Sequence, residues 1–388
     1  MTSGYNINAA MSVFAMALMP VIGGSMFIIQ PAFIQGMVAY MGFSEQYAGY
    51  AMSIEMTGFA LGTILMALIA SRINWRHVLR LSMLTTIIAT LGCMFVEQQI
   101  YFIGLRFVIG LATGAIVSLG FTSIGLTEKA ERNFGIAIFL SMIYGAIVLF
   151  LLPTLFDLAG LQALLVVILL LSIIGLIFSK HLPMFGEERR VVEADAVDIP
   201  VRLKWLGVVA VLLYFLAQGA VWAYIFLFGT NANLSPDTVS MHLTLSQFTG
   251  IAGAMVAVVI GAKYSRLPPL TLGIAAGVIP LCLFLYEGIG PSVFLVGVLI
   301  YNFGFNLSHP YLLATMASFD RRGQMVIIAV CGQTLGLALG PAIGASLISG
   351  DNYDNIKWFS ILFFSLSLLC MCIPILCQHQ MWQRAKMS

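Results

Sequence analysis

Apolar runs near 11–38, 47–70, 80–96, 100–125, 134–156, 161–179, 205–229, 239–262, 270–287, 292–317, 325–348 and 357–377 alternate with short polar connections along the whole chain. Runs of about 20 apolar residues match helices crossing a hydrocarbon layer roughly 30 Å thick, whereas barrel strands would be runs of about 10 in strict alternation. The pattern predicts an all-α polytopic membrane protein with twelve transmembrane helices. Its longest polar segment, 180–203 (KHLPMFGEERRVVEADAVDIPVRL), is expected to be a linker between six-helix halves at 1–179 and 204–388.

A motif echo supports halves made by duplication. Gln247-Phe-Thr-Gly-Ile aligns with Glu55-Met-Thr-Gly-Phe at constant offset, Thr57 falling on Thr249 and Gly58 on Gly250.

Composition excludes a soluble domain. Of 388 residues, 60% are hydrophobic and 9% charged, with a mean hydropathy of +1.00, where soluble domains carry about a quarter charged residues. The net charge of +2 comes from basic residues scattered singly, which form no nucleic-acid patch. All Lys and Arg except Arg106 and Lys357 fall on one set of alternate connections: Arg72, Arg76 and Arg80; Lys129 and Arg132; Lys180, Arg189, Arg190, Arg202 and Lys204; Lys263 and Arg266; Arg321 and Arg322; Arg384 and Lys386. The positive-inside rule then predicts that both termini and the linker are cytoplasmic, in a multi-pass protein of the cytoplasmic (inner) membrane. The N-terminal tail has no basic residue and is placed by the alternation alone. The opposite connections carry Glu45, Glu97, Asp157, Asp237, Glu287, Asp351 and Asp354. The first apolar run is too long for a signal-peptide core and is expected to be a mature helix. Six cysteines lie in apolar runs or at the end of the last one, with no metal-type spacing, so no metal and no cofactor is expected.

Chemistry concentrates at two positions. Glu55 and Arg106 are the charged residues that stand within spans, about 9–13 Å from the outer ends of their helices at 1.5 Å per residue. Charge in hydrocarbon is costly enough that an intramembrane carboxylate marks a functional candidate. The two are placed to form an ion pair or to share a wet cavity; Glu55 would then take up and release a proton as Arg106 approaches and withdraws, or the pair would be static and fix helix register. Arg106 has a second candidate role, anchoring an anionic solute. Asn302, Asn306 and His309 share one face of the tenth span ahead of Pro310, and His309 is a third candidate for proton coupling. Gln30, Tyr144, Gln218, Trp222, Tyr224, Gln247 and Gln333 complete the intramembrane polar set. Gly58 with Gly62, and Gly332, Gly336, Gly340 and Gly344 at every fourth position, predict close helix packing. Pro20, Pro31, Pro153, Pro280, Pro310 and Pro341 interrupt spans and are expected to kink them.

Six spans, a linker and six more resemble the major facilitator superfamily. Ala67–Leu79, ALIASRINWRHVL, resembles that family's second-to-third-loop signature Gly-x-Leu-Ala-Asp-Arg-x-Gly-Arg-Arg-x-x-Leu at Ala70, Arg72, Arg76 and Leu79. Ala67 and Asn74 replace glycines and Ser71 replaces the aspartate, with Asn74 expected to tolerate the left-handed geometry of the turn. Arg106, Gly110 and Gly114 resemble the fourth-helix pattern Arg-x-x-x-Gly-x-x-x-Gly associated with proton coupling, whereas the Gly-Pro string at 336–344 lies on the eleventh span and not on the fifth, where the antiporter signature belongs.

The resemblance implies two parallel six-helix bundles with a substrate site near the midplane between them. It implies a cavity lined by the first, fourth, seventh and tenth helices, hence by Gln30, Gln218, Trp222, Asn302 and Asn306, and a gating loop containing Arg72 and Arg76. It also implies that the glycine stripes of the second and eleventh helices face each other across the halves as sliding surfaces, and that the protein is a monomer. The expected function is secondary active transport of a small organic solute by alternating access, with protons and the lipid bilayer as the other partners. Walker, His-Glu-x-x-His and Gly-x-Ser-x-Gly strings are missing, which argues against an ATPase of that type and against an enzyme. The alternative is a lipid flippase or a non-transporting partner of the same fold.

Overall fold

A computed structural model of the chain describes residues 6–96, 98–184, 199–260, 266–286, 289–319, 324–350 and 352–387. Twelve helices among these are long and apolar enough to cross a membrane. They are α1 (Ala10–Met41), α2 (Glu45–Ile69), α3 (Trp75–Phe95), α4 (Gln99–Gly125), α5 (Ala130–Ala159), α6 (Leu161–Phe178), α7 (Val201–Asn231), α8 (Pro236–Ile260), α9 (Leu267–Phe284), α10 (Pro291–Ser318), α11 (Gln324–Leu347) and α12 (Asp354–Met387). The chain divides into two compact units, Met1–Arg189 and Arg190–Ser388.

A single 3-10 turn at Ser179–His181 and the first turn of α7 at Val201 take up both ends of the expected linker. Its middle, 185–198, lies outside the described residues, as do Glu97, Lys263, Glu287, Arg321, Arg322 and Asp351 and the side chains of Ser71, Arg384 and Lys386.

In the first unit, α1 packs against α4, α5 and α6, α2 pairs with α4, and α3 lies on α4 and α6. The second unit repeats the scheme: α7 packs on α11 and α12, α8 pairs with α10, and α9 lies on α10 and α12. The two units thus share most of their helix pairs.

Local chemistry sets the corners. Gly42 ends α1 at φ 68°, a left-handed residue that glycine adopts without strain. The Ser44 hydroxyl then caps α2 by accepting from the Tyr47 amide at 3.1 Å, and Glu45 places negative charge against the helix's positive end.

On α3 the usual soluble pattern is inverted. Leu81, Leu84, Ile88 and Leu91 are exposed, while Ser82, Thr86, Thr90 and Cys93 are buried. Apolar outward faces suit lipid, where hydrophobic burial drives nothing and polar groups must turn inward.

Candidate functional site

Close approach of α2 and α4 comes first, because it fixes the register of the charges. A Cβ on Gly58 would overlap the Phe107 carbonyl oxygen and one on Gly62 that of Leu111, while one on Gly110 or Gly114 would overlap the carbonyl of Glu55 or Phe59. These pairings rise together along both helices, so α2 and α4 run in the same direction with backbones in contact.

Glu55 stands ten residues past the start of α2 and Arg106 seven past the start of α4. Side chains on a helix lean toward its N-terminus, so both lean toward the same end of the unit and meet. Arg106 donates from Nε at 2.8 Å and from Nη2 at 2.5 Å, both to Oε2 of Glu55. The carboxylate's Oε1 and the guanidinium's Nη1 have no hydrogen-bond partner among the described residues. Both side chains are buried, at 0% and 1% exposure.

Two further neighbours shape the pair. The Phe33 ring of α1 lies 4.6 Å from the Arg106 guanidinium carbon and stacks on Phe102, which in turn meets Phe43 edge-on. The ring face adds attraction for the cation. The Cys93 thiol of α3 lies against the guanidinium and within the field of Glu55. Phe33 and Cys93 carried no sequence signal, since both types are ordinary in membrane helices.

The corresponding interface of the second unit is neutral. Gln247 of α8 occupies the Glu55 register, and Thr249 donates to the Leu299 carbonyl of α10 at 2.8 Å. Asn302 donates to Ser246 O at 2.9 Å, and Asn306 donates back to Asn302 at 2.9 and 3.0 Å. His309 faces α11, with Nε2 3.3 Å from Gln333 Oε1, and sits between the rings of Phe215 and Phe305. Gln218 accepts from Tyr301 at 2.7 Å, and Trp222 is buried. Of the expected cavity residues, Gln218, Asn302 and Asn306 thus spend polar groups inside their own unit, whereas Gln30 keeps a buried Nε2 with no partner among the described residues.

Two expectations are corrected. The glycine stripes are not sliding surfaces between the second and eleventh helices: Gly58 and Gly62 back onto α4, while Gly332, Gly336, Gly340 and Gly344 back onto α7 at Val208, Phe215, Gly219 and Tyr224, each within its own unit. Asn74 is extended at φ −81° and not left-handed, and its Oδ1 caps α3 by accepting from the His77 amide at 3.1 Å. The loop holds by capping instead of by a glycine turn. Arg72 is exposed, and Arg76 is committed to the Leu182 carbonyl through Nε at 2.8 Å and through Nη2. Nearby, Arg80 donates to Ser179 and the Trp75 amide to Met184 O.

The chain belongs to the Major Facilitator Superfamily, whose family model matches residues 15–318. It is thus a multi-pass membrane protein of a transporter family. No curated protein sequence matches it. Among solved structures, the D-xylose-proton symporter superposes with a TM-score of 0.76 at 15% identity, over 93% of this chain and 97% of that one. The nucleoside transporter NupG gives 0.73 at 12% identity, over 96% and 100%. A bacterial homologue of the human lysosomal transporter Spinster, inward-facing and unoccupied, gives 0.70 at 11%, over 97% and 98%. These likenesses establish the fold.

Proposed function

We propose that the protein is a secondary active transporter that moves a small organic solute across the cytoplasmic membrane by alternating access, coupled to protons at Glu55. The observation that carries this reading is the ion pair with one bare oxygen. Arg106 places both its hydrogen bonds on Oε2 and leaves Oε1 of a fully buried carboxylate open to receive a proton. Protonation removes the counter-charge of Arg106, and breaking one side of a buried pair is worth about 3–5 kcal/mol. An energy of that size shifts a two-state equilibrium by two orders of magnitude or more.

One of the similar folds is that of a D-xylose-proton symporter, which supports the ion as coupling partner. Within the first unit, solute contact is assigned to Gln30, whose amide donor is unspent among the described residues; within the second, it is assigned to the half-buried Asn306 and to Trp222 as an aromatic surface. His309, bound to Gln333 between two rings, is assigned to holding α10 on α11. Both termini and the linker are assigned to the cytoplasm from the charge alternation, and the chain acts as a monomer.

The test compares wild type and Glu55→Gln at matched membrane levels against a panel of labelled metabolites and drugs, with and without a proton uncoupler. The expected result is a compound whose cellular level shifts with wild type and returns to baseline with either the uncoupler or the substitution. Unchanged movement of that compound by Glu55→Gln under the same gradient would overturn the assignment of coupling to this residue.

A further inference from the structure

The geometry points to a water-filled vestibule inside the first unit that carries protons to Glu55 from the end of the bundle where α1, α3 and α5 finish. It rests on the proton-coupled reading above and adds the route.

A cavity of about 600 Å³ opens at that end, lined by Tyr40 of α1, Cys93 and Val96 of α3, and Gly160, Gln162 and Leu165 at the α5–α6 corner. The corner creates it. Gly160 at φ 55° turns α5 directly into α6 without a loop, and a Cβ there would press on the Tyr40 ring. With no longer connection to fold inward, the space between α1, α3 and α6 stays open.

The cavity's wall is the ion pair's neighbour. Cys93 lines the cavity, and its thiol also interacts with the Arg106 guanidinium, which links the cavity to the ion pair. In the same unit, Glu55 Oε1, Arg106 Nη1 and Thr90 Oγ1, the last one helical turn from Cys93, are buried and find no hydrogen-bond partner among the described residues. Buried polar groups in folded proteins are almost always satisfied, by water where protein does not serve. A volume this large holds many waters, each taking about 30 Å³. Among the described residues, the titratable and charged groups of the cavity and the ion pair are Tyr40 from α1, Glu55 from α2, Cys93 from α3 and Arg106 from α4, with the exposed Asp157 in the last turn of α5 near the rim and Gln162, which does not titrate, at the α5–α6 corner. Of these two carboxylates, Glu55 is the one buried against Arg106, and it is the acceptor at the end of the route. Hydronium at the vestibule floor gives its proton to Oε1 of Glu55, leaving water and a neutral carboxylic acid.

Hydroxyl-radical footprinting of the full chain in lipid nanodiscs tests this, because sulfur side chains report water beside them. After correction for intrinsic reactivity, Cys93 is expected to oxidise several-fold faster than Met83 and Met371, which are equally buried at 0%, and to approach the exposed Met184. Gln162→Trp, at an exposed position on the rim, is expected to lower the Cys93 rate several-fold and leave the three methionines unchanged. Oxidation of Cys93 at the level of Met83, or a rate indifferent to Gln162→Trp, would overturn the route. A dry Cys93 beside a Glu55→Gln variant that has lost coupling removes the vestibule and keeps the function proposed above. A wet Cys93 beside a fully coupled Glu55→Gln removes the role of Glu55.

Discussion

Arg106 and Glu55 spend their hydrogen bonds unevenly, and that asymmetry decides what each substitution does. Arg106→Ala leaves a bare carboxylate at 0% exposure, which costs about 3–5 kcal/mol of stability. The Glu55→Gln/Arg106→Gln double variant, with no charge left to compensate, is expected to recover much of that loss in thermal unfolding measured in one detergent. Equal melting of Arg106→Ala and wild type would show the pair to be energetically idle. Both residues were legible in the sequence because charge inside an apolar run is too expensive to be incidental. The direction of each polar group was not. Gln218, Asn302 and His309 have the right chemistry for a cavity, yet Tyr301, Ser246 and Gln333 satisfy them within their own unit. A sequence displays a donor and conceals its acceptor.

At the scale of elements, glycines place the charges. Gly110→Leu would drive four carbons into the backbone of Glu55, and Gly340→Leu would do the same to Gly219 and Ala220 of α7. Both are expected to abolish folded protein in detergent, as judged by size-exclusion profile. Gly104, whose added Cβ would meet nothing within 4 Å, should accept alanine and gain up to about 0.5–1 kcal/mol from reduced backbone entropy. Equal tolerance at Gly110 and Gly104 would contradict the packing. The four-residue spacing announced tight contact, but spacing does not name the partner helix, which is why the stripes were assigned across the halves when each lies inside one. The loop after α2 makes the same point. Arg76 reaches the Leu182 carbonyl at the end of α6, so Arg76→Ala should speed hydrogen exchange at the Trp75 amide, which donates to Met184 O at 2.8 Å. Unchanged exchange would show that Arg76 does not hold this junction.

For the molecule as a whole, hydropathy and the Glu55/Gln247 echo made twelve helices and a duplication readable, and the duplicated pairings α2 with α4 and α8 with α10 bear the same stamp. The two interfaces differ in one respect: the first unit has charges where the second has amides and hydroxyls. Proton chemistry is accordingly assigned to one half. The proposed orientation rests on the charge alternation and is tested directly: in a chain cleared of its native cysteines, Gln98→Cys should react with an impermeant thiol reagent from outside the cell and Lys180→Cys only from the cytoplasmic side. Reversed labelling would invert the topology. The most direct test of the central claim is proton movement in reconstituted vesicles, followed with an entrapped pH dye while the solute identified by the labelled panel is supplied. Wild type is expected to move protons with the solute and Glu55→Gln to carry solute down its own gradient without them; solute-linked proton movement in Glu55→Gln equal to that of wild type would contradict the account.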